Sequence, residues 1–130
     1  MNKEKVKQFL DKYEFKYSEK ENFITVKLEL AQQVEIDFNK PNKIIIKDKL
    51  VGWNFLTGMI GMSLKNALIY NFIGIMLFGF ICLYAEIMSD NILNFLSLFL
   101  VFISWIVLFT SFYLIKLEIF KSQIINWTKE

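Results

Sequence analysis

The chain has 130 residues, of which 55% are hydrophobic and 17% aromatic, and its net charge is only +2. This length holds one ordinary domain, or a small domain joined to a membrane anchor, and it excludes a large soluble core. The small net charge, together with basic residues that are all lysine, argues against nucleic-acid readout, because arginine's bidentate recognition of guanine and phosphate is missing.

Residue types that enzymes depend on are scarce. The chain has no histidine and a single cysteine, Cys82, so no histidine-activated nucleophile, metal cluster or intrachain disulfide is predicted. Glu35 and Asp37 could share one face of a strand, but their alternation with apolar residues is typical of the solvated face of a sheet. We therefore predict a protein that is not an enzyme and that uses no cofactor.

The first segment has the period of an amphipathic helix. Val6, Phe9, Leu10 and Tyr13 are spaced i, i+3, i+4 and i+7, and lysines and acids fill the other sides. This spacing predicts a short helix over about residues 3–12, whose apolar face must pack on something.

Period two replaces the helical period immediately afterwards. Alternating apolar and polar residues predict four strands, at 13–17, 23–30, 34–38 and 43–50. The NKPN stretch at 39–42 supplies turn chemistry, and the whole pattern predicts an antiparallel meander with one wet and one covered face. About fifty residues make a marginal core. The sequence leaves its further support open among the membrane surface, a second copy of the chain, and the segment around Trp53.

Residues 51–66 are predicted to form an interfacial or re-entrant connector. From Leu50 to Ala85 the only charged residue is Lys65. The apolar run that begins at Trp53 is too short to cross a hydrocarbon core, which needs about 20 residues, and tryptophan suits the headgroup level. We expect an interfacial or re-entrant helix here, or a last strand that leads into one.

Two apolar runs are predicted to form a transmembrane hairpin over 67–115, with spans at about 67–86 and 92–115. Neither span contains an ionisable residue between its flanks, which argues against a coupled transporter or proton relay. The fold class is therefore an integral membrane α+β protein: a cytosolic helix-plus-sheet module at 1–50, the connector, and the two-helix hairpin.

Charge placement predicts the orientation. The turn between the spans carries Glu86 and Asp90 and no lysine, whereas lysines flank the outer ends of the hairpin at Lys65 and Lys116. We expect a bacterial inner membrane, and in such a membrane the positive-inside rule predicts that both termini are cytoplasmic. Residues 116–130 are predicted to be a cytosolic amphipathic helical tail that extends the second span and lies along the interface.

Serine returns every seventh residue in the second span, at Ser97, Ser104 and Ser111. This period puts the three on one stripe, and we predict that the stripe packs against the compact side chains of the first span, with Asn71 beside Ser111 or Thr110. Two alternatives stay open, a stripe that faces a second chain or a pore lumen and serines bonded only to their own helix.

The candidate functional residues follow from these patterns. The predicted helix-packing or pore-stripe residues are Asn71, Gly74, Cys82, Ser97, Ser104 and Ser111. The predicted membrane-interface anchors are Trp53, Lys65, Lys116 and Trp127.

The leading functional hypothesis is a non-enzymatic membrane protein that anchors a cytosolic interaction module to lipid and binds a protein partner or itself. Its expected contact surfaces are the sheet edge, the strand at 43–50 and the covered face of the sheet, since a strand edge can recruit a partner by main-chain pairing. Two alternatives are an oligomeric pore or membrane-disrupting effector, and an accessory subunit of a larger membrane complex.

Overall fold

A computed structural model of the chain describes residues 3–40, 43–88 and 94–129. Along the chain the elements are α1 (Lys3–Lys12), β1 (Lys16–Lys20), β2 (Phe23–Lys27), β3 (Gln32–Asp37), β4 (Ile45–Leu50), α2 (Leu64–Met88) and α3 (Phe95–Lys129). The predicted NKPN turn and the acidic turn around Asp90 lie partly outside the described residues.

The helix predicted over 3–12 is confirmed as α1. Its apolar side chains Val6, Phe9 and Leu10 are buried against the rest of the chain. Its polar side is tied to the first strand, because both Lys3 and Lys7 form ion pairs with Glu19, the latter at 3.2 Å. α1 therefore lies across the β1 side of the sheet.

The predicted antiparallel meander is confirmed, with the strands in the order β1-β2-β3-β4. Residues that pair across β2 and β3 include Val26 with Val34 and Ile24 with Ile36. These four side chains are fully buried, which defines the inner face of the sheet. We call α1 and this sheet together the N-terminal module.

Two strand bounds differ from the prediction. β1 begins at Lys16 rather than at residue 13, and Tyr13 is left 53% exposed beyond the end of α1. β2 ends at Lys27 because Leu30 and Ala31 take left-handed backbone angles, with φ of 56° and 65°. Such angles cost a non-glycine residue about 1 kcal/mol or more, so this hairpin turn needs support from its surroundings.

The inner face of the sheet is covered by the second half of α3, a support that the sequence did not indicate. Leu117, Phe120 and Ile124 are buried there, and the ring of Phe120 lies 6.4 Å from that of Phe9 and 5.3 Å from that of Phe15. Full burial of each such side chain contributes about 1.5–3 kcal/mol. Three of them supply as much as the whole core of a fifty-residue module is expected to provide.

α2 and α3 are long and apolar enough to cross a membrane, with mean hydropathies of 2.1 and 2.4. Each helix is capped at its start, since Ser63 Oγ accepts from Asn66 N and Asn94 Oδ1 accepts from Ser97 N, both at 3.2 Å. At about 1.5 Å per residue, the 35 residues of α3 extend about 52 Å. That is well beyond a hydrocarbon core of about 30 Å, so α3 has length for both a span and a piece of the N-terminal module.

Candidate functional site

The sheet, the connector and α3 meet at Tyr113, which is fully buried. Its hydroxyl donates to the Leu30 carbonyl at 2.6 Å and accepts from the Phe55 amide at 3.2 Å. Its own carbonyl accepts from Gln32 Nε2 at 3.0 Å. One residue of α3, through its hydroxyl and its main-chain carbonyl, thus holds the strained β2–β3 turn, the first residue of β3 and the connector in a fixed arrangement, which we call the junction.

Gln32 is the polar residue buried most deeply in the junction, with 1% of its surface exposed. Its Oε1 has no hydrogen-bond partner among the described residues. An unsatisfied buried acceptor costs about 1–3 kcal/mol, so the junction is built from polar contacts that tolerate little change.

The connector, predicted over 51–66, spans residues 51–63 because α2 begins at Leu64, and it is a compact irregular loop rather than the expected helix. The expected alternative, a last strand, is represented by the Leu50–Met62 bridge to β4. Asn54 and Gly58 exchange two backbone hydrogen bonds, at 3.0 and 3.1 Å, and Gly58 takes a φ of 65°. The loop lies against α3, where Trp105 Nε1 donates to the Phe55 carbonyl at 2.8 Å. Helix formation loses here because the Asn54 side chain bonds the backbone of its own turn, at Leu56 N and Thr57 N.

β4 is joined directly to the start of α2. Leu50 and Met62 exchange backbone hydrogen bonds at 2.7 and 2.8 Å. Asp48 Oδ2 accepts from Leu64 N at 2.6 Å and so satisfies one of the donors at the N-terminus of α2. These bonds fix the start of the first candidate span to the last strand of the sheet.

The outer edge of β4 is only partly occupied. The Leu50–Met62 pair lies on the side of β4 away from β3, so strand alternation places the main-chain groups of Asp48 and Ile46 on that same side. In the described ranges these groups make no main-chain hydrogen bond away from β3. β4 therefore offers a short free edge next to the start of α2.

A groove of about 780 Å³ opens between the sheet and α3. Its rim carries both acids and lysines, including Lys116, whose Nζ lies 3.7 Å from Glu29 Oε2. The groove is lined by Tyr13, Glu14, Phe15, Lys16, Lys27, Leu28, Glu29, Lys116, Ile119, Phe120 and Gln123. Because the rim is mixed in sign, the groove favours no ion of one charge.

Two of the packing residues predicted on the first span are buried. Asn71 and Cys82 are 6% and 7% exposed, and Ala67 is fully buried. Asn71 Nδ2 donates to the Ala67 carbonyl at 2.8 Å, one turn back, so its amide is satisfied within its own helix rather than by Ser111. A Cβ added at Gly74 would meet nothing within 4 Å, so Gly74 is not a point of close approach.

The three serines lie on the outside of the hairpin. Ser97, Ser104 and Ser111 are all exposed, so the stripe does not pack between α2 and α3 in a single chain. Aromatic side chains fill that space instead: the ring of Phe78 lies 4.9 Å from that of Phe102 and 6.2 Å from that of Phe99. Rings bury more apolar surface than serines do, which explains why they occupy the seam.

Sequence reasoning missed the residue of closest approach between the two helices. A Cβ added at Gly79 would lie 3.3 Å from two ring atoms of Phe99. Gly79 is not among the predicted packing residues, although it lies three residues before Cys82. On α3, the hydroxyl oxygen of Thr110 is buried and has no hydrogen-bond partner among the described residues.

Two of the predicted anchors lie where the apolar surfaces of the helices end, and a third lies on the connector. Lys65 is exposed at the second residue of α2, and Trp53 is 76% exposed on the connector. Lys116 is the first charged residue of α3, and its Nζ lies 5.6 Å from the ring centroid of Phe112. Their role as membrane anchors stays a prediction.

The fourth predicted anchor, Trp127, packs inside the N-terminal module. Its Nε1 donates to the Lys5 carbonyl at 2.9 Å, and its ring lies 5.8 Å from that of Phe9. Lys12 Nζ lies 4.9 Å from the ring centroid. These contacts account for Trp127 as part of the packing between α3 and α1, with no need for the membrane surface.

The titratable groups of the module form structural contacts. The pKa of Glu19 is lowered, first by the hydrogen bond from Lys3 and then by that from Lys7. The pKa of Lys7 is raised by the same contact with Glu19, and that of Tyr17 is raised by its hydrogen bond to Asp11 at 2.8 Å. The contacts that cause these shifts join α1 to β1.

Other acidic residues are not assembled into a reactive group. Within the ranges that the structure describes, no three His, Cys, Asp or Glu residues could together hold a metal ion. Glu35 is exposed and pairs in register with Lys47, and Asp37 Oδ1 accepts from Asn39 N at 2.8 Å.

Comparison of the chain with protein-family models, curated proteins and solved structures finds no match.

Proposed function

We propose that this chain is a non-enzymatic membrane protein in which α2 and α3 cross the bilayer as a hairpin and hold the N-terminal module at its surface. The module binds a protein partner or a second copy of the chain. In a bacterial inner membrane, which we propose as its location, the charge pattern of the sequence favours the module and both termini on the cytoplasmic side.

One observation carries the proposal: α3 is a single continuous helix with two different surroundings. Its first half exposes large apolar side chains, such as Leu108 at 63%, whereas Phe120 and Ile124 in its second half are buried in the module. Apolar exposure on that scale needs lipid or protein to cover it. Because the helix is unbroken, any movement of the span is transmitted to the module.

The free edge of β4 is the binding surface that this proposal favours. Its unpaired main-chain groups can add an extended segment to the sheet. The exposed side chain of Lys47 and the half-buried side chain of Ile46 flank that edge.

A photo-crosslinking amino acid in place of Lys47 tests this surface in intact cells. We expect an adduct, either to a second copy or to one defined partner. The adduct should disappear in Ile46→Pro, since proline removes an N–H that faces away from β3 and is tolerated at such edges. Ile46→Ala is the matched control, because it loses the same side chain but keeps the N–H. An adduct that survives Ile46→Pro would contradict edge pairing.

A second candidate function, an oligomeric pore or membrane-disrupting effector, is favoured by the exposure of the serine stripe. In an oligomer this stripe could face another copy or a lumen. Vesicle dye leakage that is abolished by replacing Ser97, Ser104 and Ser111 with leucine, but not by Ser122→Leu, would support it. Harmless overexpression without leakage would count against it.

A further inference from the structure

The surface of the connector is apolar although the segment is a loop. Residues 51–63 contain no charged residue. Trp53, Met59 and Ile60 are 76%, 70% and 52% exposed, and Phe55 is 40% exposed. Four large apolar side chains exposed on one short loop are unfavourable in water, and clustered exposure of this kind marks an interaction site.

The loop is joined to the module at its two ends, and its Phe55 lies against the candidate span. The rings of Phe55 and Phe109 stack with their centroids 4.4 Å apart, and Trp105 Nε1 bonds the Phe55 carbonyl. Lys116 is the first charged residue of α3. At 1.5 Å per residue, Phe109 and Trp105 lie about 10 and 16 Å deeper along α3 than Lys116. The exposed apolar side chains of the loop thus continue the apolar surface of α3.

The side chain of Asn54, which is 5% exposed, satisfies several backbone groups of the loop. Its Nδ2 donates to the carbonyls of Val51 and Ile60, at 2.8 and 3.2 Å. Its Oδ1 accepts from the amides of Leu56 and Thr57, at 2.9 and 2.7 Å. The Asn54–Gly58 backbone pair and a hydrogen bond from Thr57 Oγ1 to the Ile60 carbonyl complete this cage.

These internal hydrogen bonds matter because the hydrocarbon core excludes water, which would otherwise bond the backbone. Each unsatisfied backbone group costs several kcal/mol in lipid, so irregular backbone is ordinarily absent there. A loop that bonds many of its own amides and carbonyls, and that turns apolar side chains outward, lowers this cost. In the described ranges the amides of Trp53 and Met59 make no such bond, so they favour a depth that headgroups or water can reach.

We propose that the connector is a lipid-facing wedge beside α3 in the leaflet that faces the module. The side chains of Trp53, Met59 and Ile60 enter the acyl chains, and the amides without an internal partner stay within reach of the headgroups. The partner of this surface is lipid. The wedge, together with the Leu50–Met62 pair at its base, holds the sheet close against the bilayer and fixes which side of the module faces outward. This inference rests on the proposed insertion of α2 and α3.

Spin-label accessibility in reconstituted vesicles tests the wedge. Single cysteines are placed in a Cys82→Ala background by Met59→Cys on the loop, by Leu108→Cys on the exposed surface of the span, and by Ser122→Cys on the exposed surface of α3 beyond Lys116. Oxygen, which concentrates in lipid, and a water-soluble nickel chelate are the two relaxing agents. We expect oxygen to dominate at 59 and 108, and nickel to dominate at 122.

The outcomes separate this inference from the proposed function. Nickel dominance at 59 with oxygen dominance at 108 would overturn the wedge and leave the hairpin in the membrane. Nickel dominance at 108 would overturn both. In Asn54→Ala, which breaks the cage, we expect nickel accessibility at 59 to rise severalfold while 108 and 122 keep their values. An unchanged profile at 59 would overturn the role of the cage.

Discussion

Replacement of Tyr113 by phenylalanine tests the junction most sharply, because it removes one oxygen atom and leaves the ring in place. The hydroxyl makes two hydrogen bonds, to the Leu30 carbonyl and from the Phe55 amide. Each bond contributes about 0.5–1.5 kcal/mol, and the partners left unpaired in a buried site cost more. We therefore expect Tyr113→Phe to weaken the junction by about 1–3 kcal/mol.

Hydrogen exchange at the Phe55 amide reads this loss locally. Each 1.4 kcal/mol corresponds to a factor of ten in the opening equilibrium, so the amide should exchange about 5–150 times faster in Tyr113→Phe when exchange occurs through local opening. Tyr84→Phe is the matched control, because Tyr84 is 65% exposed on α2, and it should leave the rate unchanged. An unchanged rate in Tyr113→Phe would refute the assignment of the hydroxyl as the acceptor.

Three further predictions concern other parts of the chain. Glu19→Gln should lower the thermal midpoint at neutral pH. The difference from the parent should fade as the pH falls below the ordinary Glu pKa of 4.5, because a carboxyl with a depressed pKa stabilises the fold only while it is ionised. An equal difference at all pH values would argue against the ion pair. Gln32→Glu places a carboxyl opposite the Tyr113 carbonyl in a buried site. It should lower the free energy of unfolding by about 3 kcal/mol at neutral pH and by less as the pH falls toward about 4, as measured by thermal scans in detergent. A variant as stable as the parent at every pH would show that water reaches the site. Gly79→Val should overpack the contact with Phe99 and destabilise the fold by about 1–3 kcal/mol, whereas Gly74→Val should not. Equal thermal midpoints for the two variants would contradict the placement of the close approach.

Periodicity predicted the elements whose partners are close in sequence. The helical spacing of Val6, Phe9 and Leu10 gave α1 with its observed bounds, and strict alternation gave the β3 face with Val34 and Ile36 inward. In each case the pattern itself defines the buried face. The bounds of β1 and β2 were less accurate because turn positions depend on backbone angles that alternation does not encode, as at Leu30.

The packing of α3 on the sheet could not be predicted, because α1 and the sheet lie near the start of the chain and the second half of α3 lies near its end. The apolar face of Leu117, Phe120 and Ile124 is visible in the sequence, but the same pattern fits a helix lying on a membrane surface. Only the fold shows that this face packs on α1 and on Phe15. The same reason explains why Trp127 was expected at the interface.

The serine stripe shows a second limit of periodicity. A seven-residue period places Ser97, Ser104 and Ser111 on one side of a helix but does not say which side faces the partner. The seam is decided by side-chain volume, and the rings of Phe99 and Phe102 fill it against Phe78. Tyr113 was missed for a related reason: one tyrosine in an apolar run carries no signal until its partners are known.

Sidedness of labelling in sealed vesicles tests most directly the central claim, that the hairpin crosses the membrane twice and returns the second half of α3 to the side of the sheet. Single cysteines introduced by Glu35→Cys, Asn94→Cys and Ser122→Cys in the Cys82→Ala background are exposed to a membrane-impermeant maleimide. The account predicts that 35 and 122 react from one side and 94 only from the other. Reaction of all three from the same side, or release of the protein from the membrane by alkaline carbonate, would contradict it.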